Sequence, residues 1–581
     1  MKRLLSLALI LAFVATANAE TKPATRAKIS AKPVAEAVKA KQTTRARVTY
    51  GKELRPAREV IGRREEPLTV EEQTAKQIEK LLRGPLRNGI TGLFVCDATT
   101  GEPLFAVNAD DPLNPASNVK MISTATALEL LGPQFKYSTR VLANEPDASG
   151  AIKGDMFLLG TWDPTLALSD MDQLAEQLAA RGVKSLEGDV LTGSDPTRDG
   201  IYRAMIPLEV KAADPTQPPT VTAPAGFDLF QFEVTAKTAK KAMKRAKLKA
   251  TSEVITDANG HRRIKVTIAG TIGKGGDTML PFYSRERTLV SSHALRAALK
   301  NHNITITGDT RVVELGDFIG DSVSVKTHAL PIELARHESP ELQEIVRRVN
   351  KFSINWLADR VIMTAAALSK RTTPSMDVAV EAMYGWLQRH PQLDKDAVTI
   401  DTGSGLSYRT RISASELVKV VRAAGGFATG TDQDNAKAWL TSLSIAGTDG
   451  TLRSRFRLTD VKGHIHGKTG TLSTAVALTG VLDLDPTRPL AFSIVTNTLK
   501  PLKKAYIRKA HEQLVGLIAS YITATAKPTT ATPVSTPVQL GTPTVAEPPP
   551  LSDSTPDEES AADNAEAQPD PELDVETATS K

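Results

Sequence analysis

A chain of 581 residues exceeds what one hydrophobic core usually organises, so two or more domains are expected. Hydrophobic residues at 41% are enough for large cores, and charged residues at 24% are an ordinary globular share. The formal net charge of +6 sums a basic leader and an acidic tail and identifies no partner, and the single cysteine, Cys96, excludes an intramolecular disulfide or a cysteine metal cluster.

Lys2 and Arg3 precede an apolar run from Leu4 to Ala15 and the small-residue site Ala17-Asn18-Ala19. This is the pattern of a cleavable export signal spanning residues 1–19, which predicts a periplasmic protein. A membrane anchor would need roughly 20 apolar residues, and this run is shorter. No later stretch is long and apolar enough to cross a bilayer. Residues 20–66 mix Lys and Arg with Ala, Thr and Pro without a period, and are expected to be a disordered leader. From Pro528 to Lys581 the chain is rich in Thr, Pro, Ala, Asp and Glu, a composition that buries too little apolar area to offset chain entropy. The folded part is therefore expected between about 67 and 526.

Within it, Thr91–Asp97 and Gly101–Asn108 read as a strand hairpin. Ser117–Leu131 reads as a helix led in by Pro115 and stopped by Gly132-Pro133. That helix carries little charge and many small residues, as a helix buried on several faces would. From about 146 to 334 short strand-like runs dominate, with Asn259-Gly260 marking a hairpin between Glu253–Thr256 and Arg263–Ile268. Helical periodicity returns at 340–368, 375–390 and 413–424. Two antiparallel strands, Ala475–Asp483 and Leu490–Thr496, close the fold. The outline is an α+β domain interrupted by a long strand-rich insertion.

Three short elements carry chemistry. In Ser117-Asn118-Val119-Lys120, positions i and i+3 share one helix face. A serine hydroxyl is a poor nucleophile until a base takes its proton, and a lysine can be that base only if burial and cationic neighbours bring its pKa from about 10.4 to near 7. Alone, Ser-x-x-Lys is common on surface helices and weighs little. Ser353-Ile354-Asn355 opens an apolar helix; Ser353 could relay a proton and Asn355 could hold a substrate carbonyl, although the same residues serve as an ordinary helix cap. His466-Gly467-Lys468-Thr469-Gly470-Thr471 leads into a strand. There Lys468 could meet a substrate carboxylate, Thr469 and Thr471 offer hydroxyls, and Gly470 lets a ligand approach the backbone. The N–H groups of Ser117 and Thr471 could form an oxyanion hole.

Ser-x-x-Lys, Ser-x-Asn and Lys-Thr-Gly in this order are the signature of β-lactamases and penicillin-binding proteins. The flanks Asn114-Pro115-Ala116, Gly403-Ser404-Gly405-Leu406-Ser407 and Gly447-Thr448-Asp449-Gly450-Thr451-Leu452-Arg453 closely resemble the class C low-molecular-mass penicillin-binding proteins, the D-Ala-D-Ala carboxypeptidase/endopeptidase family. Asp163-Pro164-Thr165-Leu166 and Pro281-Phe282-Tyr283 resemble that family's pattern too, and the likeness spans about 75 to 515. It implies a penicillin-binding, β-lactamase-like catalytic domain at 67–145 and 335–526. An inserted domain at 146–205 and 280–334 would carry a nested domain at 206–279. It also implies an acyl-enzyme on Ser117, with Lys120 as base, Ser353 as relay, and Asn355, Lys468, Thr469, Gly470 and Thr471 binding substrate. Peptidoglycan stem peptides would be the substrate and β-lactams covalent inhibitors, with no cofactor, metal or nucleic acid.

Three positions depart from the family pattern: Thr402, Ile354 and Asp359. The competing readings are a non-catalytic wall-binding scaffold and a β-lactamase. Retention of every motif side chain argues against the first, and the separation of about 236 positions between Ser117 and Ser353 against the second. The nine histidines show no metal-ligand spacing. The cations Lys237, Lys240, Lys241, Lys244, Arg245 and Lys247 read either as a solvated helix face or as a contact for anionic wall polymers. Oligomeric state and the balance between carboxypeptidase and endopeptidase activity are not legible here.

Overall fold

The computed structural model describes residues 68–525, apart from 196–197, 203, 216, 325–329, 391–392 and 501–502. The expected signal, leader and acidic tail lie outside the described residues. No described helix is long and apolar enough to cross a membrane.

The catalytic region is built on a six-stranded antiparallel sheet. Its spatial order is Ser444–Ile445, Ile465–Leu472, Ala475–Leu482, Leu490–Thr498, Gly89–Asp97 and Pro103–Val107. Strand Ala475–Leu482 is buried at every position, because both faces of the sheet are covered. One face packs on the helices Val70–Arg83 and Lys504–Thr525, through Ile78, Leu514, Val515 and Ile518. The first of these helices begins with a capping box between Thr69 and Glu72. The other face packs on a helical layer centred on Lys120–Leu131, with Ala477, Val481, Ala491 and Val495 in the same core.

Lys120–Leu131 is the central helix its composition suggests: every residue from Lys120 to Leu128 is buried. Small side chains let neighbours approach on all sides, and Gly132, at φ 83°, ends the helix with its N–H on the Leu128 carbonyl. The start is not α-helical. Residues Ala116–Val119 form a 3₁₀ turn, with Ala116 at φ 48°.

The helical pattern expected over 340–368 is broken in the middle. Leu342–Phe352 ends at Ser353, which sits in the left-handed region at φ 57°, and a new helix runs from Asn355 to Lys370. A serine there costs about 1 kcal/mol or more. Periodicity alone could not locate the break, because the apolar spacing continues across it.

In the insertion an extended core joins the sheets, and a smaller cluster around Phe157, Leu191 and Phe318 lies apart from it. Its five-stranded sheet runs Thr310–Val313, Val190–Gly193, Met156–Leu159, Ser138–Ala143, Ile332–Glu338. Strand Ser138–Ala143 lies outside the boundary expected at 146, and Ile332–Glu338 straddles the one expected at 334; the two pair with each other in the insertion's five-stranded sheet. The expected hairpin is present and longer than its turn signal implied: Lys247–Thr256 pairs antiparallel with Arg262–Ile272. No helix forms over residues 237–247, which are strand and loop.

Candidate active site

Short Ser444–Ile445 pairs only with His466 and Gly467, so the outer edge of residues 468–472 has no strand neighbour among the described residues. The nucleophile turn lies against that edge. A Cβ on Gly470 would fall 2.4 Å from the Pro115 carbonyl oxygen, so only glycine lets the strand lie this close. From the other side a Cβ on Gly405, at φ 78°, would fall 2.1 Å from the Ala116 carbonyl oxygen. Asn118 ties the turn down: with its amide oxygen accepting from Thr479 Oγ1 (2.7 Å), its nitrogen donates to the Lys468 carbonyl (2.9 Å).

Lys120 is fully buried at the foot of this cleft. Its Nζ donates to Ser117 Oγ at 3.1 Å, to Asn355 Oδ1 at 2.6 Å and to the Ser404 carbonyl at 2.7 Å. Burial pulls its pKa from 10.5 down to about 7, against the opposing pull of the Asp359 carboxylate. At pH 7 about half of such lysines are neutral, whereas roughly 1 in 3,000 would be neutral at the ordinary value. Asp359 also accepts the Ser404 N–H at 2.6 Å, and so holds the carbonyl that in turn holds Lys120.

Lys468 is the second buried ammonium. It donates to Ser353 Oγ at 2.7 Å and to the Thr469 carbonyl at 2.9 Å. Burial, and then repulsion from Lys120, take its pKa well below the ordinary value. The left-handed turn at Ser353 is what aims its hydroxyl at this ammonium. Ser353 makes no direct hydrogen bond to Ser117 or Lys120.

The strand hydroxyls are engaged as well. Thr469 Oγ1 donates to Thr451 Oγ1 at 2.8 Å. Thr451 belongs to a loop held by the Lys351–Asp449 ion pair (2.6 Å) and by the Thr451 N–H on Ser444 Oγ (3.2 Å). Thr471 Oγ1 accepts from Arg508 Nη2 at 3.2 Å.

The structure thus gathers Ser117, Lys120, Ser353, Asn355, Lys468, Thr469, Gly470 and Thr471 at the nucleophile turn and the strand lying against it. Lys468, expected to meet a substrate carboxylate, has its ammonium buried and donating to Ser353. Arg508 was missed altogether, since it sits in a helix with no motif near it. Asp359 and Thr451 lay inside stretches already singled out, but nothing in their spacing gave them a role. His464 and His466 flank Asp483, at 3.4 and 3.5 Å.

Comparison with known proteins places this arrangement among relatives. The model of the D-Ala-D-Ala carboxypeptidase 3 (S13) family matches residues 74–521. The chain is 30% identical over 455 residues to a D-alanyl-D-alanine carboxypeptidase of Actinomadura sp. (strain R39), covering 73% of this chain and 80% of that protein. It is 26% identical over 412 residues to a carboxypeptidase of Mycobacterium tuberculosis, covering 70% and 76%. A crystal structure of penicillin binding protein 4 from Haemophilus influenzae superposes with a TM-score of 0.58 at 19% identity, over 76% of this chain and 99% of that one, a likeness of fold.

Proposed function

The chain belongs to the D-Ala-D-Ala carboxypeptidase 3 (S13) family and is a serine-type D-Ala-D-Ala carboxypeptidase; from that premise we propose how its residues share the reaction. The substrate is a peptidoglycan stem peptide ending in D-Ala-D-Ala, or a cross-link with the same acyl side. Ser117 Oγ attacks the carbonyl carbon of the scissile amide while neutral Lys120 takes its proton. The N–H of Ser117 is in the first turn of its helix, where such groups have no intrahelical partner. With the N–H of Thr471 it receives the developing oxyanion.

Collapse breaks the C–N bond. The proton held by Lys120 reaches the leaving amine through Ser353, which Lys468 positions, and the bound substrate closes the gap between the two groups. Water then cleaves the Ser117 ester, with Lys120 again acting as base. Asn355 Oδ1 is fixed by Lys120, which leaves its Nδ2 for a backbone carbonyl of the substrate. A free C-terminal carboxylate is received by the Thr471 hydroxyl, which accepts from Arg508 and so keeps its own proton to donate, with the Arg508 charge beside it.

The observation that carries this reading is the buried Lys120 amine 3.1 Å from Ser117 Oγ, with a pKa of about 7. β-Lactams acylate the same serine, because their carbonyl occupies the place of the scissile amide. The apolar run at Leu4–Ala15 supports action in the periplasm after cleavage at Ala19. Incubating the mature protein with uncross-linked and cross-linked muropeptides, and identifying the products by mass, tests the reading. Release of D-Ala, or of monomers from dimers, supports it if Ser117→Ala releases neither. Equal release by that variant refutes it.

A further inference from the structure

The densest run of cations in the chain lies far from the motifs in sequence, at one end of the nested sheet, on both sides of strand Arg262–Ile272. Between Val234 and Ser252 there are seven lysines and arginines and no acid. These are the six cations from Lys237 to Lys247 already named, and Lys249. A helix would have spread them around a solvated face, but here they are carried on a fixed loop and its flanking strands. Lys237–Thr238 pairs in parallel with Thr271 and Ile272, the chain turns through 239–246, and Lys247–Thr256 returns antiparallel.

The loop backbone is clamped onto the turn opposite. The Ala239 N–H donates to the Ile272 carbonyl at 2.9 Å, and the Lys274 N–H to the Lys241 carbonyl at 3.1 Å. A Cβ on Gly273 would fall 2.3 Å from the Met243 nitrogen, so glycine is what allows the loop to lie down. Lys274 thereby joins the cluster. All eight side chains are exposed, and none makes an ion pair with a described acid.

Several cations elsewhere in the insertion are paired with acids. Lys265 pairs with Glu233 and Glu253, and Arg263 and Arg296 both pair with Asp309. At the loop end of the sheet, Lys247 and Lys249 face Thr271 and Ala269 across the ladder, so no acid stands directly opposite them. Unpaired like charges repel and lower the stability of the compact state, so the fold itself gains nothing from this cluster.

We propose that this end of the sheet is a docking surface for an extended, hydrated polyanion: the carboxylate-bearing glycopeptide polymer whose stem peptides the active site cuts. The proposal rests on the function given above. Lysines predominate, and lysine presents a compact point charge that needs no fixed geometry, unlike the planar fork of arginine. They are spread over a loop and two strands and do not converge on one pocket, which suits a polymer and not a single small anion. A bilayer is disfavoured, since stable interfacial binding needs apolar side chains that insert, and no large apolar side chain is exposed between residues 234 and 252.

The test uses the full mature chain and a variant combining Lys240→Gln, Lys241→Gln, Lys244→Gln and Arg245→Gln. A second variant with Lys240→Arg, Lys241→Arg and Lys244→Arg keeps the charge. Each is sedimented with purified peptidoglycan sacculi, and separately with phosphatidylglycerol vesicles, at low and high salt. Turnover of a soluble stem peptide is measured alongside. The proposal expects wild type and the Arg variant to sediment with sacculi at low salt and to release at high salt. The Gln variant should bind sacculi at least about tenfold more weakly, with soluble-peptide turnover unchanged. Undiminished sacculus binding by the Gln variant overturns the proposal. So does wild-type binding to vesicles without binding to sacculi. Failure of wild type to cleave the soluble peptide would count against the catalytic reading alone, and the sedimentation arm would still decide the docking.

Discussion

The position of Lys120 sets a pH dependence that can be worked in advance. Only the neutral amine can accept the Ser117 proton, so acylation follows the fraction of Lys120 that is deprotonated. With a pKa of about 7 that fraction is about one in eleven at pH 6 and about ten in eleven at pH 8. The acylation rate should therefore rise about tenfold between these values and level off above. A lysine at its ordinary pKa would give about a hundredfold rise with no plateau. Lys120→Arg keeps a charge but cannot give it up, and Lys120→Ala removes the base. Both should lose on the order of 10²–10⁴-fold at pH 8. Stopped-flow acylation by a chromogenic β-lactam, run for the three proteins from pH 5.5 to 9 (a range of about ±1.5–2 around the expected midpoint), measures all of this. A flat wild-type profile together with an active Arg variant would show that Lys120 is a fixed charge and not the base.

Three further outcomes follow from the same geometry. Asp359→Asn keeps an oxygen for the Ser404 N–H but removes the carboxylate that holds the Lys120 pKa up. The midpoint of the pH–acylation profile should move to lower pH, and a midpoint that stays or rises counts against the assigned coupling. Gly405→Ala puts a methyl group 2.1 Å from the Ala116 carbonyl oxygen and must push the nucleophile turn by about 1 Å, which should cost about a hundredfold in acylation; wild-type acylation rates would show that the turn can yield. Arg508→Ala should raise KM roughly 10- to 100-fold for peptides with a free C-terminal carboxylate, through loss of a charge-assisted contact, and leave their amides little changed. Steady-state kinetics on acid and amide pairs decides it, and equal losses on both would move the carboxylate contact elsewhere.

The family, the α+β fold and several catalytic strands and helices were legible because they rest on local signals. Gly132-Pro133 marks a helix stop, and the uncharged small-residue run Ser123–Ala127 fits a helix buried on several faces. Ser353-Ile354-Asn355 was legible as a helix opening, but the left-handed backbone of Ser353 was not, because its hydroxyl is held by Lys468, 115 positions away. The same distance problem concealed Arg508, whose partner Thr471 lies 37 positions earlier on another element. The burial of Lys468 was not legible for a different reason: a lysine in a motif reads as a charge, and only the packed structure reveals that its ammonium is buried against Ser353. The expected limits of the insertion left out Ser138–Ala143 and cut through Ile332–Glu338, because these strands pair across nearly two hundred residues, and a pairing of that range leaves no mark on either segment alone.

The central claim is that Ser117 forms the acyl-enzyme. Mass spectrometry of the protein after reaction with benzylpenicillin, followed by proteolysis and sequencing of the modified peptide, tests it directly. The account predicts one penicilloyl group per chain, attached at Ser117, and no adduct on Ser117→Ala. An adduct on another residue, or undiminished labelling of the alanine variant, would contradict it.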